Sequence, residues 1–350
     1  MTHRRQQKRL GMDTFQAPVE AGLLTLSSTE SEALPNLGRT ITHYIAMDRE
    51  HEPPVTVLVP VRNGARWIPL MLESILRQQY QNFVILRIDD ASSDNSAEIA
   101  KTIAGERLRV VEARGEGLAA ALASGVLCSD TELICRMDVD DIAEPLRLTK
   151  QVRFLSDNTE HVMVGSNITI IDEEGKPRGK SRLPVTDAEI RLWMSIGNPF
   201  AHSSVMFRRE HVIAVGNYWS PDSSPFPEDY HLWARLADTG LLANLDERLV
   251  QYRLNSSGVL LTNSKTLRRH ACEISLSWRS RRRDSPTSQY EMDAWRACYG
   301  SDRLIRPSQA IAISRGLVRD RRAVGKRAAR GLRLHHYLFP FSRIFRNGRG

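Results

Sequence analysis

No apolar run reaches the roughly 18 residues that a membrane-crossing helix needs, so no transmembrane span is expected. The early basic residues His3, Arg4, Arg5, Lys8 and Arg9 have no apolar stretch behind them, which argues against a secretory signal. Cysteine is scarce. The four residues Cys128, Cys135, Cys272 and Cys298 show neither metal-ligand spacing nor a disulfide framework. Cys128 and Cys135 lie in apolar segments and read as core residues, and a reducing cytoplasm fits this usage. A Ser-His-Asp signature, a reactive-cysteine signal and an internal repeat are also missing, so nothing points to covalent nucleophilic catalysis. Acid is absent from Arg321 to Gly350, where Arg321, Arg322, Lys326, Arg327, Arg330, Arg333, Arg343, Arg346 and Arg349 concentrate the positive charge. The formal net charge is +8, so the centre of the chain must be near neutral or acidic. The basic tail calls for an anionic partner, either a membrane surface or a nucleic acid.

What is present reads as an α/β chain. Residues 1–52 lack steady periodicity and are expected to be a flexible leader. Val55–Val61 is short, β-branched and apolar, as a central parallel strand should be. Arg62-Asn63-Gly64 is a turn, and Trp67–Gln78 a helix. Phe83–Ile88 is a second strand ending at Asp89-Asp90, and the polar turn Ala91–Ser96 leads into a helix over Ala97–Ala104. A strand at Leu108–Val111, a helix at Glu116–Leu127 and a strand at Glu132–Met137 complete a βαβ pattern that predicts a parallel sheet. Further on, the pattern predicts a helix over Pro145–Leu155, strands at Val162–Gly165 and Ile168–Ile171, and a hairpin-type turn at Asp172–Lys176. Thr186 with Glu189 has capping-box spacing. Ser203–Phe207 is a strand, Pro225–Tyr230 opens a helix to about Asp238, and Leu249–Arg253 is a last strand. Residues 53–262 are expected to form one α/β domain and 263–350 a basic helical C-terminal region.

The chain is organised around Met137-Asp138-Val139-Asp140-Asp141, where three carboxylates follow a predicted strand. In open parallel sheets the carboxyl ends of strands are where ligands bind. Alternation along a strand puts Asp138 and Asp140 on one face and Asp141 on the other. Like charges this close repel unless a cation or hydrogen bonds lie between them, and a hard divalent ion holding phosphate oxygens is a common solution. The competing reading is a solvated turn, or acids placed at a helix N-terminus.

Four motifs in order resemble the inverting family 2 glycosyltransferases of the GT-A fold, in particular bacterial members that build capsule, exopolysaccharide or lipopolysaccharide. They are Val57–Asn63, Asp89–Asp94, Arg136–Asp141 and Pro227–Trp233, and Asn198–Val205 resembles a further segment of that subgroup. The resemblance spans residues 54 to 260. It implies a mixed sheet flanked by helices with a nucleotide-sugar donor across the strand ends. It places Pro60, Arg62 and Asn63 at the first strand's end, the first two near base and ribose, and Asp90 on the uracil edge. Asp138 approaches the ribose or donor sugar, and Asp140, with Asp138, ligates Mg²⁺ or Mn²⁺ beside the diphosphate. Asp229 becomes the general base, steadied by Glu228, and His202 a donor-site residue. Arg253 either pairs with the leaving diphosphate or is a surface strand residue.

Other readings stay open at each position. Asp90 and Asp94 suit a helix cap, Glu228 and Asp229 suit a helix N-terminus, His202 suits a loop, and Trp233 suits core packing better than sugar stacking. The chain also departs from the family. Arg62 stands where many relatives have Tyr, Asn255 where many have His, and Arg114–Leu118 lacks an Asn common at its start.

In the tail, Ile313, Leu317, Val324, Ala328 and Leu332 share a helical face, and Tyr337–Phe341, Ile344 and Phe345 add apolar bulk among arginines. That combination suits an anionic membrane surface, where a lipid-linked saccharide acceptor would be met. The expected location is cytoplasmic, peripheral on the inner face of the plasma membrane, with no specific nucleic acid partner. Two alternatives stand beside this. One is a nucleotidyltransferase, for which Pro60–Gly64 is a poor phosphate loop. The other is a non-enzymatic nucleic-acid binder acting through the tail, which leaves the acid clusters without a role.

Overall fold

The computed structural model describes residues 52–221, 226–255 and 264–282. The expected leader and the Arg-rich tail with its apolar residues lie outside the described residues.

The first half alternates strand and helix as its periodicity predicts. It runs β1 (Val55–Val61), α1 (Ile68–Leu76), β2 (Phe83–Asp89), α2 (Ser96–Ala104), β3 (Leu108–Glu112), α3 (Leu118–Cys128) and β4 (Leu133–Arg136). These four strands are parallel in the order β3-β2-β1-β4. Strand β1 is buried along its whole length because helices cover both faces of the sheet. Val55, Val57, Val59 and Val61 pack with α1 on one face, while Leu58 points to the other with Leu86, Ile88 and α3. Pro60 is tolerated in this central strand because the β1–β4 ladder ends at Leu58 and Arg136.

The second half is mixed. It contains β5 (Ile142–Ala143), α4 (Arg147–Asp157), β6 (His161–Ile171), β7 (Pro177–Lys180), α5 (Asp187–Trp193), β8 (Met206–Arg208), α6 (Arg209–Ala214), α7 (Glu228–Leu236), β9 (Leu241–Arg253) and α8 (Ser264–Arg281). Strand β8 joins β4 antiparallel, and the sheet continues through β6, β9 and β5, with β7 paired to β6. Thr186 and Glu189 form the expected capping box at α5.

Among the differences from the sequence reading, three concern strands that it expected. The two short strands expected at 162–165 and 168–171 are one strand, β6, with register shifts around Ser166 and Asn167. Its buried polar residues are paired: Ser204 Oγ accepts from Ser166 N at 3.2 Å, and Asn167 Oδ1 accepts from Leu183 N at 2.7 Å. Strand β9 starts eight residues earlier than expected, since its polar stretch pairs with β6. Ser203 and Ser204 lie in a single 3₁₀ turn, His202–Ser204, and the strand begins at Met206. Helix α8 packs Ile274 and Trp278 into the same apolar cluster as Tyr230 and Trp233 of α7, with Trp278 Nε1 donating to Arg191 O at 3.1 Å.

Candidate active site

The acidic loop leaves the carboxyl end of β4, and two arginines organise it. Arg136 is 1% exposed, and its guanidinium pairs with Asp138 Oδ2 and donates to Ser203 Oγ at 3.2 Å. The same hydroxyl oxygen accepts from Asp138 N at 2.7 Å. Arg253, at the end of β9, donates from its backbone N to Asp141 Oδ1 at 2.7 Å and from Nε to Asp140 O at 2.8 Å. Its Nη1 donates to the carbonyls of Asp172 and Glu173, both at 2.9 Å, and its guanidinium lies 4.6 Å from the Trp67 ring centre. Arg253 is therefore a buried brace of the acidic loop, not a surface strand residue.

Asp138 and Asp140 are half-buried and Asp141 is buried, and one ligating oxygen of each lies within 4.8 Å of the others. Asp141 Oδ2 is buried with no donor at hydrogen-bond geometry. Burial, then Asp138, pushes Asp140 up to about 6, and burial, then Asp138 and Asp140, raises Asp141 well above the usual carboxylate range. Clustered, poorly solvated carboxylates with a spare buried oxygen suit a hard divalent cation.

The loops after β1 and β2 clasp each other beside this cluster. Asn63, at φ 55, donates its backbone N–H to Ser92 Oγ at 3.1 Å, and its Oδ1 accepts from Ser93 N at 2.8 Å. Asp94 Oδ2 accepts from Ala65 N at 2.9 Å. A Cβ on Gly64 would come 2.8 Å from Val139 Cγ2, so this glycine lets the first loop touch the acidic loop. Of the acid pair, Asp89 is spent on structure: Arg87 donates to Oδ2 and Ser92 N to Oδ1, both at 2.9 Å. Asp90 is 5% exposed and accepts a long bond from Gly117 N at 3.4 Å. It sits at the end of β2, where Pro60 is buried and Arg62 exposed at the end of β1.

The second carboxylate pair opens α7. Asp229 Oδ2 accepts from Asn198 Nδ2 at 2.7 Å, and Oδ1 accepts from Tyr230 N at 2.6 Å. Burial raises the Asp229 carboxyl, and the Tyr230 and Asn198 donors pull it back. Glu228 is 9% exposed, and burial, then Asp229, pushes it up to about 8. His202 Nε2 lies 3.0 Å from Tyr218 Oη, and its Nδ1 lies 3.5 Å from Glu228 Oε1. Burial and then Arg136 hold His202 well below its usual range, so it is neutral. Trp233, at 0% exposure, packs edge-on against Phe200 and His202 and is a core residue under this pair.

Arg136 acts electrostatically on both acid groups, lowering Asp140, Glu228 and Asp229. The motif containing Arg136 was legible in sequence, but its role was not, because the pairing with Ser203 joins residues 67 apart. Tyr218 was missed altogether, since a lone tyrosine after a loop carries no sequence signal.

Residues 56–216 match the family described as Glycosyl transferase family 2. EpsE of Bacillus subtilis (strain 168) is 34% identical over 210 residues, covering 58% of this chain and 74% of the relative. The amylovoran biosynthesis glycosyltransferase AmsE of Erwinia amylovora is 33% identical over 192 residues, 54% of this chain and 71% of the relative. The O-antigen biosynthesis glycosyltransferase WbnJ of Escherichia coli is 30% identical over 210 residues, 58% and 80%. Among solved structures, S. aureus TarS 1-349 in complex with UDP-GlcNAc superposes with TM-score 0.55 at 14% identity, over 79% of this chain and 82% of that one. The mannosyltransferase PcManGT of Pyrobaculum calidifontis, in complex with GDP-Man and Mn²⁺, superposes with TM-score 0.51 at 18% identity, over 82% and 85%. These folds share the mixed sheet flanked by helices described above. With acid groups at the ends of β2 and β4 and at the start of α7, the chain is a glycosyltransferase and belongs to glycosyl transferase family 2.

Proposed function

We propose that the protein transfers a sugar, with inversion, from a nucleotide-diphosphate sugar, a UDP-sugar, to a hydroxyl of a saccharide or lipid-linked saccharide in cell-surface polysaccharide synthesis. The observation that carries this reading is two carboxylate groups under the charge of one buried guanidinium. The acidic loop after β4 holds one group, Glu228-Asp229 holds the other, and Arg136 acts on both. The relatives named for amylovoran and O-antigen synthesis support the pathway class, and the neighbours solved with UDP-GlcNAc or GDP-Man support the donor class.

In this reading the acceptor oxygen attacks the anomeric carbon, its proton passes to Asp229, and the bond to the diphosphate oxygen breaks on the opposite face. Asn198 and the Tyr230 N–H orient Asp229 and favour its anion against the upward pull of burial. Asp90 meets the base edge of the donor, with Pro60, Arg62 and Asn63 forming the loop beside it. Asp140 and Asp138, with Asp141 behind them, would hold Mg²⁺ or Mn²⁺. A bound divalent ion supplies Lewis-acid neutralisation of the leaving diphosphate. Asp229→Asn is expected to lower transfer by roughly 10²–10⁴-fold, the range of a lost general base. Donor binding, read by titration with UDP and Mn²⁺, should persist. Normal turnover by this variant refutes the base assignment.

We further propose that 53–262 is the catalytic unit and that the basic C-terminal region seats it on the anionic inner face of the membrane. Among the described residues no helix is long and apolar enough to cross a bilayer. Deleting 310–350 should abolish co-sedimentation with anionic vesicles at low salt. Unchanged binding of the truncated protein removes the idea.

A further inference from the structure

We propose that Tyr218 and His202 are positioning residues of the catalytic pair: a polar line from Tyr218 through His202 to Glu228 keeps one proton on Glu228, so that Asp229 alone stands as the anionic base. This rests on the reading of Asp229 as the base.

The line is built into the fold. Tyr218 is 4% exposed, and its position is set by Asn217, at φ 60. Asn217 Oδ1 accepts from Tyr218 N at 2.7 Å, its Nδ2 donates to Ala123 O at 2.9 Å, and its carbonyl accepts from Arg235 Nη2 at 2.7 Å. Helices α3 and α7 thus hold the backbone that presents the hydroxyl. The Tyr218 ring lies 6.4 Å from Phe207 and 6.3 Å from Trp233, centre to centre. His202 is wedged between Tyr218, at 5.6 Å, and Trp233, at 5.7 Å, so its imidazole cannot swing away from Glu228. His202 Nε2 is committed to Tyr218 Oη at 3.0 Å, and Nδ1 is turned towards Glu228 Oε1 at 3.5 Å.

The protonation state follows from the surroundings. Glu228 faces Asp229 on its own helix, Arg136 and Asp138 at the end of β4, and His202 with Tyr218 behind it. Two adjacent buried carboxyls do not both ionise cheaply, and one proton on the pair relieves the repulsion. Asp229 already has two donors for its oxygens, whereas Glu228 faces a neutral imidazole nitrogen able to accept. The proton therefore belongs on Glu228, in the direction of its elevated pKa of about 8. Pairs of carboxyls whose environments push them apart are a recurrent way of dividing acid and base roles. During transfer the acceptor proton goes to Asp229, and the Glu228 proton stays where it is.

Four variants of the full chain test this in the presence of Mn²⁺, with UDP release as turnover and UDP titration as the donor-side readout. Tyr218→Phe and His202→Asn should lower kcat about tenfold, the scale of lost positioning, with UDP affinity held within about twofold of wild type. Their acid limb of kcat should move to higher pH, because the proton is then shared back onto Asp229. Glu228→Gln, whose amide donates as a protonated carboxyl does, should keep at least about tenfold more turnover than Glu228→Ala, which retains no donor. Wild-type kcat and pH profile in both Tyr218→Phe and His202→Asn overturn the proposal. UDP affinity falling in step with kcat also overturns it, assigning His202 to the donor site instead. So does equal inactivity of Glu228→Gln and Glu228→Ala. If His202→Asn fails to fold, Tyr218→Phe decides, since it removes one oxygen and keeps the packed ring. An active Asp229→Asn signals a different failure, that of the base assignment itself.

Discussion

Replacing Asp140 by Asn is expected to stabilise the protein in chelator while abolishing transfer. Asp140 is half-buried beside Asp138 and Asp141, and burial followed by the Asp138 charge lifts its pKa from 3.8 to about 6. A folded-state pKa above the unfolded one means that the group's stabilising contribution is fully present below about 3.8 and is lost as pH rises through about 6. At pH 7.5 the ionised side chain therefore opposes folding, by up to about 3 kcal/mol from the gap between those two values. An amide of the same shape removes the charge, and a gain of about 1–3 kcal/mol remains after allowing for partial solvation. Added Mn²⁺ should reverse the order. Wild type gains about 2.7 kcal/mol at an ion concentration of 100 Kd, and the variant, short of a ligand, gains less. Urea unfolding at pH 7.5 in EDTA and in Mn²⁺, repeated at pH 4.5 in EDTA, reads all three terms. The advantage of Asp140→Asn should shrink at pH 4.5, where wild type is already protonated. A variant less stable than wild type in EDTA at pH 7.5, or one with the same Mn²⁺ gain, refutes the reasoning.

Asp90→Ala should weaken UDP binding by about 10–100-fold, the range of a hydrogen bond to a charged group, with little change in kcat at saturating donor; titration calorimetry and steady-state kinetics check this. Trp233→Ala removes a fully buried ring packed against Phe200, His202 and Tyr218, and should destabilise by about 3–5 kcal/mol in denaturant melts.

The βαβ half of the fold was legible from the chain because its signals are local. Apolar runs such as Val55–Val61, turn residues such as Arg62–Gly64 and the Thr186/Glu189 cap each act within a few residues. The carboxylates of the candidate site were legible for the same reason, as Asp138, Asp140 and Asp141 follow one strand and Glu228-Asp229 open one helix. The polar parts of β6 and β9 were not, since Asn167 and Asn244 look like loop residues until distant partners engage them: Leu183 N donates to Asn167 Oδ1, and Asn244 Nδ2 donates to the carbonyls of Pro184 and Pro199.

Alternation along a strand would put Asp141 on the face opposite Asp138 and Asp140, but β4 ends at Arg136, the acids lie in a turn, and one carboxylate oxygen of Asp141 lies within 4.8 Å of those of the other two. Only the fold showed why Asp141 faces inward, with Arg253 N as its donor from 112 residues away. By itself the sequence determined the strand–helix alternation and which residue types stand at the ends of elements, because propensity and periodicity are properties of neighbouring residues. Tertiary structure decided which of those residues carry charge freely and which are bound. Asp89 is spent on Arg87 and Ser92, Asp90 keeps one long bond, Arg136 pairs with Asp138 while its charge lowers Glu228 and Asp229, and His202 lies between Tyr218 and Glu228. Desolvation and Coulomb interaction depend on distances through space, and those exist only once the chain has closed on itself.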